Sequence, residues 1–164
     1  LTAEESEADR SHVRAYLRDR LAGVDVPFEV RGFIETVWAD HMAAVRRDHG
    51  ADSDAWNAAV KTLDDLLWSI VAKERTGQKA RLTKMIPSLI GALRKGALAV
   101  GASPERSRSF LEALYQTVTT VATVDWARFA ALWHNEPTAE RIEVNRRAKT
   151  PGFFAGMAPS GPDA

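Results

Sequence analysis

Apolar side chains recur every three or four residues through the first two-thirds of the chain, the spacing of one face of an α-helix. The first stretch predicts a helix from about Ala3 to Ala22, with Val13, Tyr16, Leu17 and Leu21 on one side. Gly23 closes it, where a left-handed backbone costs least. A second helix is expected from Pro27, a residue suited to a first turn, to about His49, with Gly50 ending it. Its stripe reads Val30, Phe33, Ile34, Val37, Trp38, His41, Ala44 and Val45. Ser53 is an N-cap for a third helix reaching about Thr76, with Trp56, Val60, Leu63, Leu67, Ile70 and Val71 inward. Beyond Gly77 a fourth helix carries Leu82, Met85, Ile86, Leu89, Leu93 and Val100. Pro87 removes one of its backbone hydrogen bonds and predicts a kink, and Gly101 ends it.

Ser103-Pro104-Glu105 joins an N-cap, a first-turn proline and an acid favoured by the helix dipole. It opens a fifth helix with Phe110, Leu111, Leu114, Tyr115 and Val118 inward. The β-branched run from Val118 to Val124 favours a strand by propensity, but no second strand candidate lies near to pair with it, so helix is expected there. Asp125 restarts a short helix through Trp126, Phe129, Leu132 and Trp133. From Asn135 the chain turns polar, and from Thr150 it is rich in Gly, Pro, Ala and Ser. Residues 1–134 are therefore expected to form an all-α, up-and-down bundle of five or six helices, antiparallel because their connections are short. Residues 135–164 read as a linker or a docked tail. No internal repeat is visible.

A chain of 164 residues suffices for one domain and buries roughly two-thirds of the surface its unfolded form exposes. Cysteine is absent, which excludes a disulfide framework, a thiolate metal site and a Cys nucleophile together. Lys and Arg number 22, as do Asp and Glu, so no global field draws the chain to nucleic acid or membrane. No apolar run approaches the ~20 residues of a membrane span. The opening Leu1-Thr-Ala-Glu-Glu-Ser-Glu is acidic, the opposite of a secretion signal, and its lack of Met reads as an excised piece of a longer chain. The expected location is the cytoplasm.

Titratable residues do not assemble into a recognisable catalytic set. His41 falls on the second helix's stripe and reads as a core histidine, the functional reading being a proton acceptor paired with Asp64. His12, His49 and His134 are scattered without metal-ligand spacing, so no metal and no cofactor is expected. Asp64 and Asp65 point about 100° apart on a helix and do not share a face. Trp68 stands with Lys61 and Asp65 on the side of the third helix away from its stripe. Either another helix covers that side, or these three belong to a binding surface with Trp68 as its anchor.

Charge is uneven along the neutral chain. Residues 73–108 hold nine Lys and Arg against Glu74 and Glu105, a net of +7. Arg81, Lys84, Ser88 and Lys95 share the side of the fourth helix opposite its stripe. Such a face is either simply solvated or meets an acidic partner: a protein surface, an anionic nucleotide or a nucleic-acid backbone. Nucleic acid is the weakest of these, because no aromatic residues interleave with the basic ones. A smaller basic cluster, Arg141 to Lys149, leads into the tail.

One resemblance adds to this reading. Val26-Pro27, Trp38, His49-Gly-Ala-Asp-Ser53, Trp56, Thr62-Leu-Asp-Asp-Leu-Leu-Trp-Ser69, Lys73, Arg81-Leu82, Ile86-Pro87 and Leu93-Arg94-Lys95-Gly96 follow in order. With them the segment from Leu17 to about Leu114 resembles a bacterial domain-of-unknown-function family, number sixteen thirty-one. Its members are often called thymidine phosphorylase, and some resemble cyclic-dinucleotide-binding PilZ proteins at their C-terminal end. Neither property carries over to this segment. Arg146-Arg147 has no Asp/Asn-x-Ser-x-x-Gly turn behind it, and phosphorolysis needs a phosphate cradle on an α/β scaffold. The expectation is a non-catalytic interaction or scaffold module of a larger bacterial regulatory protein, with a protein partner. The alternative is a regulatory domain binding an anionic small molecule such as a nucleotide. A third reading, an enzyme, requires a cavity lined by His41, Asp64 and a basic side chain.

Overall fold

The computed structural model describes residues 3–71, 76–103 and 105–134. The chain divides into two units, 1–134 and 135–164, and the second, with its basic cluster, lies outside the described residues. Helix α1 spans Ala3–Leu21 and buries Val13, Leu17 and Leu21. Gly23 follows with φ +75°. Helix α2 occupies residues 28–49 in three continuous stretches, Phe28–Phe33, Ile34–Trp38 and Ala39–His49. Pro27 sits one place ahead of it in extended conformation, and its carbonyl accepts the first intrahelical bond, from Arg31 N at 2.9 Å. Helix α3 spans Asp54–Ile70, with the Ser53 hydroxyl accepting from Trp56 N at 3.1 Å. Helix α4 spans Thr76–Ala99 and takes Gly77 into its first turn. Gly101, at φ +77°, closes α4, and Ala102 N donates back to Ala97 O at 2.9 Å in a Schellman-type cap.

A short 3-10 turn, Glu105–Ser107, leads into α5 at Arg108–Val118, and α6 spans Trp126–His134. Pro104, expected in the first turn, lies outside the described residues. Asp125 caps α6 through its Oδ1, which accepts from Arg128 N at 2.8 Å. Among the described residues there are six helices and no strand, an all-α helical bundle. Packing follows sequence order at first: α1 lies on the second half of α2, that half on α3, and α3 on α4. Helix α5 then returns to the first turns of α2, while α6 lies along α4. Where α2, α5 and α6 meet, Phe33 stacks on Phe110 with centroids 3.9 Å apart, and Trp133 stands edge-on to both.

Three expectations need correction. The second helix is not α-helical throughout: Ile34–Trp38 is a π turn, which inserts an extra residue and rotates everything after it by about 100°. Val30, Phe33 and Ile34 are buried as the spacing predicts, but beyond the turn Met42 and Ala43 face the core. His41, Ala44 and Val45 are left only half-buried. The third helix stops at Ile70 rather than Thr76, because Val71 turns extended, with ψ 141° and its side chain exposed.

Residues 119–125 are a turn and loop, neither the expected helix nor a strand. The hydroxyls of Thr117, Thr119 and Thr120 bond back to the carbonyls of Ala113, Tyr115 and Thr117, and β-branched side chains crowd a continuing helix. The Tyr115 hydroxyl fixes the far side of the loop by donating to Val124 O at 2.9 Å.

Candidate functional site

Helix α4 is built from 24 residues without a single carboxylate, and it carries Lys79, Arg81, Lys84, Arg94 and Lys95. Its apolar arc, Leu82, Ile86, Leu89, Ile90, Leu93 and Ala97, is buried, so the cations fall on its flanks and outer side. Arg81, Lys84 and Lys95 are all exposed. None of the five basic side chains forms an ion pair among the described residues, whereas most arginines of α1, α2 and α5 do. Arg14 pairs with Glu7, Arg20 with Asp64, Arg31 with Glu35, Arg46 with Asp9 and Arg108 with Glu112. The positive charge of α4 is therefore matched by no carboxylate of its own helix and by no ion pair among the described residues.

The structure joins this face to the Trp68 cluster. The Arg81 guanidinium lies over the Trp68 ring, 4.5 Å from its centroid, a cation–π contact between α4 and α3. Trp68 is half-buried, one side against the core and the other beneath Arg81. It is thus neither a core residue nor a bare anchor. One turn back on α3, Asp65 accepts from Lys61 Nζ at 2.7 Å, with the Lys61 side chain largely exposed. Lys84 sits one turn beyond Arg81. Lys95 is separate, 14 residues or about 21 Å beyond Arg81 along the helix axis. Five of the six candidate residues thus form one neighbourhood at the α3–α4 junction, and Lys95 extends it along the ridge.

The residues that an enzyme reading needs are not assembled. Asp64 accepts from Arg20 Nε at 2.8 Å, an α1–α3 tie. His41 packs against Trp38, with ring centroids 4.7 Å apart, and its burial pushes the imidazole pKa below the ordinary value. Neither lines any of four surface grooves on the bundle, and neither do the six candidate residues. Among the described residues no group of His, Asp and Glu is placed to hold a metal, and no helix is long and apolar enough to cross a membrane.

What sequence reasoning missed is Arg94, whose Nε is buried without a hydrogen-bond partner. It also missed the grooves, above all one between α1 and α2 rimmed by Arg14, Arg18 and Arg31. Arg14 and Arg18 are spaced i, i+4 beside Leu17 and Leu21, a signal present in the sequence. Arg31 arrives only through folding.

No curated protein and no solved structure matches the chain significantly. Residues 2–115, well over half of the chain, match the third domain of the protein of unknown function DUF1631, and the chain belongs to that family.

Proposed function

We propose that this domain is a non-catalytic interaction module of a larger bacterial regulatory protein, and that the α3–α4 ridge docks an acidic surface of a protein partner. One observation carries the reading: α4 presents cations without an ion pair among the described residues around an Arg81–Trp68 stack, and none of them lines any of the four grooves described above. Small molecules are held in pockets that cover most of their surface. A row of cations around a partly covered tryptophan suits a protein surface instead, with Arg and Trp the residue types that most often dominate such interfaces. The match to a third domain supports a role within a longer protein.

The test is affinity capture from cells of the source organism, comparing the wild-type domain with Arg81→Glu/Lys84→Glu/Lys95→Glu. An identified protein that binds the wild type, loses the variant and rebinds in purified form supports the proposal. Equal capture by both overturns it.

A further inference from the structure

We infer that the groove between α1 and α2 binds a soluble amphipathic organic anion, one with an apolar body and a phosphate or carboxylate end. This inference is independent of the ridge on α3 and α4. The groove lies beside the Gly23 turn and has a volume of about 630 Å³, within the range of small-molecule sites. Its floor is aliphatic, made by Leu17 and Leu21 of α1 and Val24 of the turn. Above that floor stand three guanidinium groups on two helices. Arg14 and Arg18 rise from one face of α1, one turn apart, and Arg31 faces them from α2.

Their charges are unequally engaged. Arg14 is held by Glu7 of its own helix, and Arg31 lies 3.5 Å from Glu35 on the opposite wall. Arg18 is exposed and makes no ion pair among the described residues. The unmatched positive charge thus sits on the α1 wall, where guanidinium N–H groups can take an anionic oxygen in charge-assisted bonds. No aromatic ring lines the groove, and no side-chain amide is present to read a base edge. An alkyl or acyl body fits this lining better than a nucleobase, which stacks on aromatic faces.

The experiment is calorimetric titration of the domain with dodecyl phosphate below its micelle concentration, beside dodecanol and inorganic phosphate. The inference predicts one saturable site for dodecyl phosphate, with each half-ligand bound at least about tenfold more weakly, since chain and charge contribute separately. Arg18→Glu should weaken binding by about tenfold or more. Ala22→Trp, a substitution at an exposed position on the groove wall, should abolish it by filling the space. Arg106→Glu, an exposed cation outside the groove, should leave it unchanged. Circular dichroism of each variant separates lost binding from lost fold. Failure to saturate, or full affinity in folded Arg18→Glu and Ala22→Trp, overturns the inference. So does binding to phosphatidic-acid vesicles without binding of the monomer, which would make the groove a membrane contact.

Discussion

At the scale of single residues, two glycines of α4 behave in opposite ways although the sequence treats them alike. A Cβ on Gly91 meets nothing within 4 Å, while one on Gly96 would press into the Trp38 ring, 2.6 Å from Cη2, and 3.1 Å from His41 Cδ2. Gly91→Ala should therefore stabilise the domain by about 0.5–1 kcal/mol through helix propensity. Gly96→Ala should destabilise it by about 1–3 kcal/mol, because Trp38 is pinned by its Nε1–H donating to Ala59 O and cannot easily yield. Urea unfolding of both variants measures the difference. His41, against the same tryptophan, supplies a second test. Its folded pKa is depressed by burial, so on acidification the unfolded chain takes up its proton first. Stability is then complete above the ordinary imidazole value of 6.5 and falls as pH drops from there toward the folded value. Melting temperatures at pH 7.5 and 5.5 should differ more for the wild type than for His41→Gln. Equal differences would show that His41 is not responsible.

At the scale of elements, most of the fold was legible because caps and periodicity agree. The Ser53 and Asp125 caps, the left-handed Gly23, Gly50 and Gly101, and the buried stripes of α1 and α5 stand where the residues place them. Legibility failed where backbone geometry departs from 3.6 residues per turn. Nothing in Ile34-Glu-Thr-Val-Trp38 announces a π turn, and an α-helical wheel carried past it puts His41 where Met42 belongs. The threonine-rich loop after Val118 failed for another reason: side-chain bonds to nearby carbonyls took the place of both regular choices. The π turn makes a specific prediction. Deleting exposed Thr36 should let Ile34–Trp38 close as ordinary α-helix without moving either half's buried face, so the protein should fold with near-native ellipticity. Deleting exposed Ala58 from α3 should rotate Leu63, Leu66 and Leu67 out of the core by about 100° and prevent folding. If both deletions have the same effect, the π turn is not the source of the register shift.

At the scale of the whole molecule, a neutral chain carries a strongly polarised surface. The excess of basic residues between 73 and 108 was visible in the sequence, and so was the shared face of Arg81, Lys84 and Lys95. That they form no ion pair among the described residues was not visible, because ion pairing depends on which helix lies alongside. Nor could the sequence show that α4 lays Arg81 across Trp68, which turns two separate candidates into one surface. The α1–α2 groove escaped for a similar reason, since its third arginine comes from the far side of a turn. The two proposals use different parts of the described surface, the basic α3–α4 ridge for a protein partner and the arginine-rimmed α1–α2 groove for a small anion.

Docking through the ridge is read out by the dissociation constant of the purified partner for wild-type domain and for Arg81→Glu/Lys84→Glu/Lys95→Glu, at low and high salt. The three side chains are exposed and make no ion pairs among the described residues, so the variant should stay folded, its melting temperature lowered only by loss of the Arg81–Trp68 stack, worth about 0.5–1 kcal/mol. If the ridge docks the partner, the variant loses about a hundredfold or more in affinity at low salt, a difference that shrinks as salt screens the wild-type interaction. A folded variant that binds as tightly as the wild type, at either salt concentration, would contradict it.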